Sequence, residues 1–131
     1  MIKEQYEWLA KEIFRSSLEV HKNLGPGLLE SVYECALIKE LSLRNINVSY
    51  QIQIPLIYKG YDTGKYFFID VLVEKEIIVE IKSVEKLAPV HEAQLLSYMK
   101  LSNKSLGFLI NFNEVLLKDG FKRKVNNYKE D

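Results

Sequence analysis

The chain reads as a single α/β domain, a mixed sheet flanked by helices. Three observations predict this: two helical segments split by Gly25-Pro26-Gly27, a run of three strands after them, and a helix joining the third strand to a fourth. At 131 residues there is room for one domain with a real core and no room for two ordinary ones, so residues 1–131 are taken as one unit.

Glu4 to Leu24 carries Leu9, Ile13, Val20 and Leu24 at helical spacing. Gly-Pro-Gly must break that helix. Leu29, Val32, Tyr33, Ala36, Leu37 and Leu41 then repeat the pattern, which predicts a second helix from Leu28 to Arg44. Val48 to Tyr58 alternates and is rich in β-branched and aromatic residues, with Pro55 marking an edge position or a bulge. Lys59-Gly60-Tyr61-Asp62 reads as a turn. Tyr66–Val73 and Ile77–Lys82 are strands around Glu74-Lys75-Glu76. Pro89 opens a helix to Leu101, because proline suits a first helical position. Ser105–Phe112 is an apolar strand, and Val115–Val125 adds an edge strand. The order is α-α-β-β-β-α-β(-β).

Composition excludes several classes. An apolar fraction of 47% and a charged fraction of 27% are those of a soluble globular protein. No apolar run approaches the ~18–20 residues of a membrane span. The first residues, Met1 to Tyr6, lack the apolar core of a secretory signal. Cys35 is the sole cysteine, so neither an internal disulfide nor a cysteine-based zinc site is available. A cytoplasmic location is expected. Basic and acidic residues balance at 18 each, which argues against coating nucleic acid by charge alone. Lys118, Lys122, Arg123 and Lys124 form a local basic cluster, readable as a solvated edge or as a phosphate-binding patch.

On a period of two, Asp70 shares a strand face with Phe68 and Leu72, and Glu80 and Lys82 share one with Ile78. A hairpin symmetric about Lys75 sets Asp70 opposite Glu80 and Phe68 opposite Lys82, with Cβ atoms about 4.5–5.5 Å apart. Two opposed carboxylates among apolar residues are unfavourable unless a cation joins them. Oxygen ligands so placed suit Mg²⁺ or Mn²⁺. Lys82 would then orient or activate an attacking water. The plain structural reading is a Glu80–Lys82 pair with Asp70 at a solvated strand end.

On the helix after Pro89, His91, Gln94, Leu95 and Tyr98 form one stripe. Leu95 belongs to the core, whereas Gln94 and Tyr98 on a buried face need hydrogen-bond partners. Glu30 and Tyr33 form an i, i+3 pair one turn past the break. Glu30 at a helix N-terminus gains only ~0.3–1 kcal/mol, and a tyrosine such as Tyr33 is more often core than catalytic.

Gly27-Leu28-Leu29-Glu30-Ser31-Val32-Tyr33 resembles the G-x-x-E-x-x-Y signature of the GxxExxY protein family, a branch of the PD-(D/E)XK nuclease superfamily. The resemblance runs from His21 to Asn111 and takes in Ile69-Asp70, Val79-Glu80-Ile81-Lys82 and Pro89-Val90-His91-Glu92-Ala93-Gln94-Leu95. It implies a restriction-endonuclease-like fold. It also implies metal ligation by Asp70, Glu80 and Glu30, catalytic roles for Asp70, Glu80, Lys82 and Gln94, and support from Tyr33 and Tyr98. Gln94 and Tyr98 are similar to the Q-x-x-x-Y element of RecB-type exonucleases. The implied function is Mg²⁺- or Mn²⁺-dependent phosphodiester hydrolysis, on DNA rather than RNA. The competing expectation is a non-catalytic module that keeps the fold and binds nucleic acid or protein. A homodimer through Ser105–Phe112 or Val115–Val125 is a further expectation, which light scattering would test.

Overall fold

A computed structural model describes residues 1–128. Helix α1 (Lys3–Leu24) and α2 (Glu30–Leu43) precede β1 (Val48–Tyr58), β2 (Tyr61–Val73) and β3 (Ile77–Lys82). Then come α3 (Pro89–Leu101), β4 (Leu106–Asn111), a 3-10 turn (Leu117–Gly120) and β5 (Phe121–Val125). The sheet runs β1-β2-β3-β4-β5. Only β3 and β4 are parallel, since α3 carries the chain across between them. Among the described residues no helix is long and apolar enough to cross a membrane.

Two separate cores sandwich the sheet. Helices α1 and α2 bury Leu9, Ile13, Leu37 and Leu41 against Val71, Val79, Ile81 and Phe108. On the other face α3 buries Leu95 and Met99 against Ile69, Leu72, Ile78 and Leu109. Contact there is close: a Cβ on Gly107 would stand 2.9 Å from the Met99 sulfur. Ile69 and Leu72 reach the same core although three residues apart. Alternation forbids that in a regular strand, so β2 rotates between them, at Asp70. Opposite the rotation, Gln51 takes a left-handed φ of 48° and drops out of the β1–β2 ladder.

Several boundaries differ from expectation for local reasons. Helix α2 starts at Glu30, not Leu28, because Tyr33 reaches back over the break. Its hydroxyl donates to the Gly25 carbonyl at 2.6 Å and accepts from the Leu28 N–H at 3.1 Å. Strand β2 starts at Tyr61, not Tyr66. The turn needs only Lys59 and Gly60, both at positive φ (49° and 77°), as a two-residue hairpin requires. The first part of Val115–Val125 coils into the 3-10 turn. Ser105–Phe112 cannot be a dimer edge, because β4 is buried between β3 and β5. Among the described residues the edges are β1 and β5, so the C-terminal part of Val115–Val125 does lie at an edge of the sheet.

Candidate active site

The β2–β3 hairpin closes on Glu74-Lys75-Glu76 and pairs Val73 with Ile77, Leu72 with Ile78 and Val71 with Val79. That register brings Asp70 and Glu80 level, but the ladder stops one pair short of them. Side chains cross the gap instead. The Asp70 N–H donates to Glu80 Oε2 at 2.9 Å, and the Ile81 N–H donates to Asp70 Oδ2 at 3.0 Å. Each carboxylate thereby satisfies a backbone donor of the opposite strand, and the Gln51 amide also reaches Asp70.

These groups line an open cavity of about 400 Å³ together with Glu30, Glu34, Gln51, Lys82, Gln94 and Tyr98. Helix α2 supplies one wall, α3 another, and the parting strands the floor. Ile81 contributes main chain, since its side chain lies in the α1–α2 core. Of the residues singled out in the sequence, Glu30, Asp70, Glu80, Lys82, Gln94 and Tyr98 converge here. Tyr33 does not. It is fully buried, stacked on Phe112 with centroids 4.6 Å apart, and secures the Gly-Pro-Gly turn. Gln94 departs from the expected buried face: it is exposed at the cavity rim, so its amide does not need a partner within the protein. His21 and His91 are held elsewhere, on the Glu114 carbonyl and the Ala88 N–H.

Burial dominates the electrostatics. Glu80, 5% exposed, has its pKa raised to about 8, first by desolvation and then by the Asp70 charge. Asp70 is raised by burial, opposed by the Ile81 N–H and the Lys82 charge. Glu34 is raised by burial too, and feels Asp70 before Glu30. Burial and the two carboxylates also raise Tyr98, so its phenol stays a proton donor. Its ring stacks on Phe67 at 4.2 Å.

Glu34 and Gln51 were missed in the sequence. Glu34 is legible in retrospect, one turn beyond Glu30 on the same helix face. Its carboxylate accepts the Gln51 amide at 2.8 Å, which bridges α2 to the distorted part of β1. Nothing in the sequence marks Gln51, because its placement depends on the left-handed backbone.

Among the described residues no three His, Cys, Asp or Glu side chains stand together as a closed cation cage. The pairing of half-buried Asp70 with buried Glu80 nevertheless fits Mg²⁺ chemistry. That ion usually takes one or two carboxylates and completes its shell with water and substrate phosphate.

A parallel β3–α3–β4 crossover behind an antiparallel hairpin, with acidic residues where that hairpin parts, makes this a restriction-endonuclease-like fold. The chain belongs to the PD-(D/E)XK nuclease superfamily, whose family model matches residues 7–124. No curated protein matches the chain. No solved structure matches it either.

Proposed function

We propose that this chain is a Mg²⁺- or Mn²⁺-dependent nuclease of the GxxExxY branch, hydrolysing phosphodiester bonds in DNA rather than RNA. One observation carries the reading: Asp70 and Glu80, cross-bonded by backbone donors, share a cavity with Lys82 in a chain of the nuclease superfamily. The carboxylates of Asp70 and Glu80 would hold the ion, with Glu30 or Glu34 reaching from α2. When bound, such an ion lowers the pKa of a water and offsets charge growing on the phosphate.

The chain's own residues do the rest. Lys82 is the sole cation among the described lining residues, and its ammonium orients the attacking water or meets the developing oxyanion. The Gln94 amide and Tyr98 hydroxyl are neutral donors for phosphate or sugar oxygens. Phe67 fixes the Tyr98 ring so that little freedom is lost when substrate arrives. The cytoplasmic location expected from the sequence is part of the same proposal.

The test is calorimetric titration of Mg²⁺ and Mn²⁺ into wild type and Asp70→Ala/Glu80→Ala, followed by cleavage assays on DNA and RNA with Lys82→Ala as control. Binding lost in the double variant and cleavage lost in Lys82→Ala are expected, with circular dichroism unchanged. Ion binding without cleavage of any substrate would instead make the protein a binding module.

A further inference from the structure

The outer part of the β1–β2 hairpin forms an arm with two unlike faces. One packs inward: Phe67 and Ile69, with Ile52 and Ile54 across from them, join the core under α3. The other is left open to solvent among the described residues. It carries Phe68 opposite Gln53 and Tyr66 opposite Pro55. Phe68 is 44% exposed and Tyr66 54%, large values for aromatic rings on a well-packed strand. Such an exposed aromatic face on a paired strand marks a binding surface.

Its position says what it binds. Phe68 is itself a wall of the cavity that holds Asp70 and Glu80. Tyr66 is the next ring outward, edge-on to Phe68 with centroids 5.5 Å apart. The rings therefore form a track that leads out of the site. Two residues along a strand advance about 6.6–6.8 Å, within the reach of consecutive bases in an extended single strand. The arm's charges are Lys59, Asp62 and Lys65, a net positive set. Asp62 is partly occupied, accepting the Gly64 N–H at 2.9 Å.

We infer that Phe68 and Tyr66 are a stacking platform for unpaired bases, so that the substrate is a single-stranded polynucleotide fed into the cavity along the arm. Base–aromatic stacking needs exposed π-faces, which a duplex hides within its own stack. The inference rests on the nuclease reading for its substrate, but its test separates the two.

Fluorescence anisotropy of labelled twenty-nucleotide oligo-dT, oligo-U and a twenty-base-pair duplex would be read with full-length protein in Ca²⁺ buffer, and cleavage separately in Mg²⁺ and Mn²⁺. Single strands should bind at least about ten-fold tighter than duplex. Tyr66→Ala should weaken single strands about ten-fold, in line with loss of one stacked base, and leave the duplex unchanged. Tyr66→Trp, which keeps a π-face, should retain affinity. The two single-strand probes tell DNA from RNA.

Equal affinity for duplex would overturn the platform, as would an unaltered Tyr66→Ala variant. So would light scattering in which Tyr66→Ala converts a dimer to a monomer, since the face would then be an interface between copies. Tyr66-dependent binding without any cleavage leaves the platform standing and removes the nuclease reading. Cleavage that is indifferent to Tyr66 does the reverse.

Discussion

The two ends of the β2–β3 hairpin are built by opposite rules. Near the turn, Val71, Leu72 and Val73 face Val79, Ile78 and Ile77 in a dry, fully paired ladder. A single residue further on, the same strands hold two carboxylates and abandon direct pairing. The first half gains its stability from apolar burial between two helix layers. The second half costs stability, because Glu80 is desolvated beside a like charge and shifts to a pKa of about 8. Backbone donors released by the parting strands make the arrangement tolerable, since they are the groups the carboxylates accept from. Binding capacity is thus concentrated where the sheet stops being regular.

This contrast is open to direct attack. The largest effect belongs to the irregular half: Lys82→Ala should lower the cleavage rate by about 10²–10³-fold with the melting curve little changed, measured in single-turnover assays. A melting temperature that collapses with activity would instead make Lys82 a structural residue. In the regular half, Ile78→Ala should cost about 2–5 kcal/mol in urea unfolding, because Ile78 is fully buried under α3.

Glu80→Gln should have the opposite sign. The folded state holds a proton on Glu80 that the unfolded chain releases above its ordinary pKa near 4.5. Stability without divalent ions therefore falls as pH rises from about 4.5 to 8 and levels off above that. Glutamine still accepts the Asp70 N–H but cannot ionise. Above pH 8 the variant should be more stable than wild type by roughly 2–4 kcal/mol, with no difference at pH 4. Added Mn²⁺ should narrow the gap by stabilising wild type alone. A variant less stable at every pH would show that the carboxylate itself holds the strands together.

The smallest effect lies outside both halves. Tyr33→Phe should cost about 1–2 kcal/mol by leaving the Leu28 N–H and the Gly25 carbonyl without their partner. The stack on Phe112 is retained, and ion affinity should stay within two- to three-fold of wild type, roughly what a bond that small allows if it touches the site only indirectly.

Much of this was legible in the sequence, for definite physical reasons. Helices and strands showed because each buries a single face, and the level placement of Asp70 and Glu80 showed because a three-residue turn leaves one register. The crossed hydrogen bonds did not show. Nothing in alternation predicts that β2 rotates at Asp70, and the expected face shared by Phe68, Asp70 and Leu72 fails there. Gln51 was hidden for the same reason. A helix period places Glu30 and Glu34 on one side, but it does not show that Glu34 is half-buried while Glu30 stays exposed. The basic cluster also needed the fold. Arg123 makes a two-pronged pair with Glu7 and Lys124 reaches Glu92, so half of it is neutralised at the surface.

Lys75, the centre of the Glu74-Lys75-Glu76 turn, lies five residues from each carboxylate, on the order of 16 Å of strand. Surface loops usually absorb insertions, yet this one sets the phase of everything beyond it. One added residue on either side would slide Glu80 out of step with Asp70 and turn the alternating valines and isoleucines toward the wrong layer. Length variation in related chains should therefore collect at the hairpin tip near Lys59-Gly60 and around Asn113–Leu116, and spare this three-residue bend. A remote and chemically plain turn is the clock by which the site keeps time.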